Sequence, residues 1–191
     1  AGREEGLTMA YCKVAASRAC NAALSYGEKR QGQEREGVVK NGVNCDIENA
    51  KTEMRSVRES WQKNGGVQAH VLIQSFKGQE LSPEQANEIG QELAEKVAPG
   101  HQAAVYTHVD ADGGNVHNHI VINSVNPENG RKLESHNLLK DTRQASDELC
   151  RERGLSIIRE RSAGLRYTQA EQGLNKRGLD SWKDEIREII D

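Results

Sequence analysis

The run from Val105 to Asn123, Val-Tyr-Thr-His-Val-Asp-Ala-Asp-Gly-Gly-Asn-Val-His-Asn-His-Ile-Val-Ile-Asn, constrains the fold of this chain more than any other stretch. Its flanks are apolar, β-branched and aromatic, and Asp112-Gly113-Gly114-Asn115 between them tolerates the positive φ angles of a tight hairpin loop. The stretch predicts two antiparallel strands. With Gly113 and Gly114 as the loop, Asp112 faces Asn115, Asp110 faces His117 and His108 faces His119, all on one face by the two-residue side-chain period. Clustered imidazoles and carboxylates are costly to bury unless something pairs with them, and a divalent cation does so. The imidazoles of His108, His117 and His119, with room for further ligands, form the donor set of a catalytic metal. A closed structural site takes a fourth protein ligand, usually cysteine. A one-residue slip would send His108 to the other face.

At 191 residues the chain suits one well-cored domain with a helical extension. No apolar run approaches a membrane span and no charged-then-apolar leader opens the sequence, so a soluble, cytoplasmic protein is expected. Cys12, Cys20, Cys45 and Cys150 form no CxxC pair, which argues for reduced thiols over a disulfide scaffold or a cysteine zinc site. A formal net charge of −3 excludes a generally basic nucleic-acid binder and leaves only local patches. Arg131 to Arg166 is locally basic, with interspersed acids that also suit a solvated helix face.

Residues 1–8 carry no pattern and read as a tail, with Met9 as a natural start. Met9 to Val14 predicts a strand, Ser17 to Arg30 a helix, and the polar, glycine-rich Gln31 to Asn44 a loop. Asp46 suits the N-cap of a helix reaching Lys63, with Ile47, Ala50, Met54, Val57 and Trp61 as its buried stripe. Val67 to Phe76 reads as a central strand. Ser82-Pro83-Glu84-Gln85 is a capping box with proline at the first helical position, opening a helix that stops at Pro99-Gly100. A turn at Pro127-Glu128-Asn129-Gly130 precedes a helix from Asn137 to Arg153, and residues 164–191 form a polar helical extension with Trp182, Ile186 and Ile189 as its apolar positions. Residues 9–163 thus predict an α+β domain: a mostly antiparallel sheet with helices stacked on one face and the histidine face open.

The chemistry of such a metal site turns on the nucleophile. No HExxH general base is present, which removes the zinc-protease pattern. Among Tyr11, Tyr26, Tyr106 and Tyr167, Tyr26 stands out, at a helix end before Lys29, Arg30 and a glycine-rich loop. A phenol titrates near ~10 when unperturbed and serves as a nucleophile only where a cation, a metal-bound phosphate or a base favours its anion. Tyr106, two residues before His108 on the same predicted face, is the rival and otherwise a wall of the site.

Three ordered stretches carry a resemblance. His108-x-Asp110-x-Asp112, followed by His117-Asn118-His119-Ile-Val-Ile-Asn123-Ser124-Val125-Asn126-Pro127, resembles the third motif of the plasmid mobilisation relaxases of the MobA/VirD-like branch, the MOBP class. His70-Val-Leu-Ile-Gln-Ser75-Phe76 before a Ser-Pro-Glu-capped helix is similar to their second motif. Ser17-Arg18 with Ser25-Tyr26-Gly-Glu-Lys29-Arg30 is similar to the first, and Asn44-Cys45-Asp46 sits where those proteins place a similar triplet. The resemblance covers roughly Met9 to Gly154, with a weaker echo in Tyr167 to Arg187. This chain departs from many relatives in its longer connection, Gly113-Gly114, before the paired histidines.

The resemblance implies the HUH fold, a five-stranded antiparallel sheet with flanking helices, and a nickase and strand transferase acting on single-stranded DNA at a plasmid origin of transfer. It implies Tyr26 as the nucleophile, joined to the DNA 5′ phosphate. His108, His117 and His119 would hold Mn²⁺ or Mg²⁺, and Asp110 would orient a ligand or take the tyrosine proton, with Asp46 and Asp112 as rivals. Ser75, Arg18, Lys29, Arg30, Arg131 and Lys132 are the DNA-contact candidates, His70 a weaker one. Accessory mobilisation proteins and a coupling protein are the implied partners, with no membrane. Another HUH nuclease, such as a rolling-circle replication initiator, usually places its tyrosine after the histidines; a non-enzymatic single-strand-binding module is the other alternative.

Overall fold

A computed structural model describes residues 11–30, 33–34, 39–76, 81–109 and 115–155. The strands in chain order are β1 (Tyr11–Ser17), β2 (Lys29–Arg30), β3 (Gln33–Glu34), β4 (Val39–Val43), β5 (Ala69–Ser75), β6 (Ala103–Val109) and β7 (Val116–Asn123). The helices are α1 (Cys20–Glu28), α2 (Ala50–Ser60), α3 (Pro83–Val97) and α4 (Leu138–Glu152). A five-stranded sheet runs in the order β1-β5-β7-β6-β4 with every pairing antiparallel, and β2 and β3 form a separate ribbon. This is the α+β, five-stranded antiparallel arrangement expected. The tail at 1–8, the extension at 164–191 and the boundary at 163 lie outside the described residues.

Helices cover both faces of the sheet, which corrects the expectation of one. Leu72, Val105, Ile120 and Ile122 bury against Ile89, Leu93 and Leu149 of α3 and α4. On the other face Ala69, Ala104, Tyr106 and Val121 bury against Leu24 of α1 and Met54 of α2. The reason lies in β5 and β7, whose alternate positions are apolar on both sides, as strands buried on both faces require. The histidine face is thus roofed by α1 and α2 over much of its length.

The register of the hairpin also differs. His108 pairs with His117, Tyr106 with His119 and Val109 with Val116, a shift of two residues from the tight turn the glycines suggest. An even shift leaves every side chain on its expected face, so the histidines remain together. The stretch expected as a loop, Gln31 to Asn44, contains the edge strand β4. Its sequence, Val-Lys-Asn-Gly-Val, hides it, because an edge strand needs little apolar content. Gly42 is required there, since a Cβ would stand 2.1 Å from the carbonyl oxygen of Cys45.

The capping box of α3 forms as expected: Gln85 N donates to Ser82 Oγ (3.2 Å) and Ser82 N to Gln85 Oε1 (2.9 Å). The helix expected from Ser17 starts only at Cys20, where Ser17 Oγ accepts from Ala19 N. The one expected from Asp46 starts at Ala50, because the Asp46 carboxylate instead accepts from Glu48 N (3.1 Å) and Asn49 Nδ2 (2.7 Å) and closes the preceding turn. Trp61 ends 41% exposed, outside the buried stripe assigned to it.

Candidate active site

The C-terminal end of α1 lies against the ends of β6 and β7. Gly27 permits the approach: a Cβ there would sit 2.4 Å from Cδ2 of the buried Tyr106 ring, and its carbonyl oxygen accepts a 2.8 Å hydrogen bond from His108 Nε2. The preceding residue, Tyr26, is 67% exposed, with its ring edge-on to His119 at a centroid distance of 5.6 Å. A tyrosine on the first helix and a histidine on the last strand of the sheet are thereby brought into contact.

His108, His117 and His119 close a near-equilateral triangle, with ring centroids 5.3, 4.9 and 5.1 Å apart. Their candidate ligand nitrogens all lie within 4.8 Å of one another. His108 and His119 are buried and His117 is partly exposed, so the cluster opens to solvent on one side. Because a carbonyl can only accept, the His108 bond to Gly27 places the proton on Nε2 and the lone pair of the neutral ring on Nδ1. The C-terminal end of α1, with its partial negative charge, faces the same triangle and favours a cation there. A borderline cation with open coordination positions fits three imidazoles so held.

Tyr106 is fully buried, and burial followed by the charge of Glu28 pushes its phenol well above its ordinary value. It is a wall of the site and unsuited to attack. Burial, then Glu53, raises the Cys45 thiol to about 11, which keeps it protonated and removes it as a nucleophile.

The remaining expected residues divide by position. Ser75 pairs with His117 across β5 and β7 and shares its face. Lys29 and Arg30 follow α1 directly in β2. His70 is buried on the opposite face, in register with Ile122. Arg18, Arg131 and Lys132 lie at the other end of the sheet; Lys132 Nζ donates to the carbonyls of Gly65 (2.9 Å) and Val67 (3.2 Å). From His117 to Asn123 the strand spans roughly 20 Å at about 3.3 Å per residue. Asp110, Asp112 and Tyr167 fall outside the described residues, and Asp46 is exposed in its turn.

Two features escaped the sequence reading. Gly27 drew no reading, since nothing local announces the Tyr106 ring. Asn118 could have been found: between two histidines on one strand face, it must point to the other, buried face.

This sheet with its histidine triangle has the fold of a relaxase domain. The solved MobM relaxase domain, a Mn-bound crystal structure with plasmid oriT DNA, aligns with a TM-score of 0.55 at 15% identity, over 90% of this chain and 99% of that one. The relaxase family described as MobA/VirD2-like, nuclease domain, matches residues 26–155, and the chain belongs to that family. Protein rlx of Staphylococcus aureus is 49% identical over 184 residues, 96% of this chain and 53% of its own length. The group II intron-interrupted relaxase LtrB of Lactococcus lactis subsp. cremoris is 34% identical over 130 residues, 58% of this chain and 23% of its own. The chain thus spans about half the length of the rlx relatives it matches. Among the described residues no helix is long and apolar enough to cross a membrane.

Proposed function

We propose that this chain is the nicking and strand-transfer domain of a plasmid mobilisation relaxase, with Tyr26 as its nucleophile. The observation that carries the reading is the contact of exposed Tyr26 with His119 of the histidine triangle, across some ninety residues of sequence. His108, His117 and His119 would hold a divalent cation, Mn²⁺ or Mg²⁺, which when bound withdraws charge from the scissile phosphate. Gly27 holds Tyr26 beside that position, and the Tyr26 oxygen bonds to the phosphorus as the bond to the 3′ oxygen breaks. The phenol's proton passes to a carboxylate, for which Asp110, two residues beyond His108, is our assignment. The departing 3′ oxygen takes a proton from solvent, and the products are a 5′-phosphotyrosyl strand and a free 3′ hydroxyl.

Ser75 beside His117 and Lys29 and Arg30 beyond Tyr26 are the DNA contacts nearest the reaction. Arg18, Arg131 and Lys132 meet DNA only where the substrate continues past the far end of the sheet. The MobM domain is described with 22 nucleotides of oriT DNA, a length several times roughly 20 Å even at ~3.4 Å per stacked nucleotide. A tyrosine that precedes its histidines in the chain favours the MOBP class of HUH nucleases over a replication initiator. Action on the plasmid in the cytoplasm, with accessory mobilisation proteins and a coupling protein, belongs to the same reading.

The test incubates the chain with a labelled single-stranded oligonucleotide spanning its plasmid's transfer origin, with Mn²⁺ or chelator. A metal-dependent covalent adduct on Tyr26, absent from Tyr26→Phe while that variant still binds the oligonucleotide, is the expected result. Nicking by Tyr26→Phe overturns the assignment of the nucleophile. Salt-dependent binding of the strand without cleavage, on the correct origin, replaces the enzyme with a single-strand-binding module.

A further inference from the structure

We infer that Asn118 and its cross-strand partner Thr107 are positioning residues that lock the register in which the three histidines meet; this rests on the metal-binding function proposed above. Asn118 lies between His117 and His119, so its side chain leaves by the opposite face, and it is fully buried there. Its Nδ2 donates to Gln74 Oε1 (3.1 Å) on β5 and to the Ala86 carbonyl (2.7 Å) in the first turn of α3. Its Oδ1 accepts from Thr107 Oγ1 (2.6 Å) on β6, and that hydroxyl in turn accepts from Asn87 Nδ2 (3.0 Å). Gln74 Nε2 extends the chain of bonds to Ser146 Oγ of α4 (2.8 Å). Gly90 makes the approach of α3 possible, since a Cβ there would stand 2.7 Å from Asn118 Nδ2.

Gln74, Asn118 and Thr107 are direct cross-strand partners, one polar rung over three strands beside the apolar rung of Leu72, Ile120 and Val105. The next rung, on the other face, is Ser75, His117 and His108. Fixing the first fixes the second. The need for such a lock follows from the turn sequence, which suits two tight loops: Asp112-Gly113, which pairs His108 with His117, and Gly113-Gly114, which would pair His108 with His119. In the second register Thr107 would face Ile120 and Asn118 would face Val109, leaving buried polar groups opposite apolar ones. Apolar packing tolerates either pairing, whereas directional bonds in a low-dielectric interior accept one. The rung therefore selects the pairing of His108 with His117.

The experiment measures Mn²⁺ affinity of the DNA-free chain by calorimetry and the Mn²⁺ paramagnetic resonance spectrum, beside thermal melting. It uses the wild type, Thr107→Ser, Thr107→Val, the wholly apolar rung Gln74→Leu/Thr107→Val/Asn118→Leu, and His117→Ala as the site control. Thr107→Val keeps the β-branched shape and removes only the hydroxyl. We expect Thr107→Ser to bind like the wild type, and Thr107→Val and the apolar rung to bind about 10- to 100-fold more weakly. The apolar rung should recover much of the melting temperature without recovering affinity, because Asn87 keeps its bonds to the carbonyls of Val39 and Val105, and outside the rung only Ser146 Oγ and the Ala86 carbonyl lose a donor. Wild-type affinity in Thr107→Val, or in an apolar rung that melts normally, overturns the inference and leaves the proposed function standing. A wild type without His117-dependent Mn²⁺ binding overturns the metal reading and this inference together.

Discussion

Gly27→Ala tests how closely catalysis depends on the seating of α1. The new Cβ would lie 2.4 Å from Tyr106 Cδ2, 2.9 Å from Cε2 and 3.0 Å from Cγ, where ordinary contact begins at 3.4 Å. Tyr106 is fully buried and cannot swing aside, so the end of α1 must lift by about 1 Å to restore contact distance. Overpacking of this kind costs about 1–3 kcal/mol, and alanine's helix propensity returns about 1 kcal/mol of it. Stability therefore falls by no more than about 2 kcal/mol. The same displacement carries Tyr26 away from His119 and the Gly27 carbonyl away from His108. A misplacement of about 1 Å at a reacting group is worth roughly 10²-fold in rate, about 2.7 kcal/mol of barrier. Single-turnover cleavage of an origin oligonucleotide under Mn²⁺, beside urea melts, separates the two effects. Cleavage within about threefold of the wild type would refute the argument that Gly27 sets the position of Tyr26.

The other predictions concern buried polar groups. Tyr106→Phe removes a buried hydroxyl that has no hydrogen-bond partner among the described residues, so cleavage should persist and urea stability hold or rise by up to ~1 kcal/mol; loss of the covalent adduct would return Tyr106 to contention as nucleophile. Asn123→Leu removes the acceptor of the buried Arg58 guanidinium (Nη1 to Oδ1, 3.0 Å) and should destabilise by about 2–4 kcal/mol, whereas Arg58→Met in the same chain recovers part of the loss; additive effects in chemical denaturation would contradict this coupling. His70 and His101 are both buried, and burial lowers the titration of each. The unfolded chain then takes up protons near pH ~6.5 that the folded chain refuses, so stability is complete above that pH and falls below it, by at most ~1.4 kcal/mol per pH unit for each histidine. A flat urea midpoint from pH 7.5 to ~5.5 would count against it.

Local signals carried most of the fold. The capping box of α3 and the β-branched run of β7 are written within a few residues and form where expected. Features set by distant contacts were less visible. β4 is a strand only because β6 offers its edge, and the cover on the histidine face follows from small residues, Ala69 and Ala104, that look neutral until Leu24 and Met54 pack on them. The convergence of His108, His117 and His119 was legible from side-chain period alone. That Tyr26 joins them was legible only through resemblance, because the contact joins the end of α1 to a strand far along the chain and depends on Gly27 meeting Tyr106.

The register of β6 against β7 shows why one error in reading was harmless and another would not be. A two-residue displacement preserves the face of every side chain, so either pairing gathers the histidines. What it changes is which imidazoles stand directly opposite, and hence the shape of the triangle presented to a cation. Turn chemistry allows both pairings, through Asp112-Gly113 or Gly113-Gly114, and the buried rung of Gln74, Asn118 and Thr107 favours that of His108 with His117. The rung decides between them because either loop closes equally well, while buried amide and hydroxyl groups facing Ile120 and Val109 would each forfeit about 1–3 kcal/mol. The described strands end at Val109 and resume at Val116, in the register that the rung satisfies. The geometry of the candidate metal site is thus decided on the face of the sheet that never meets the metal.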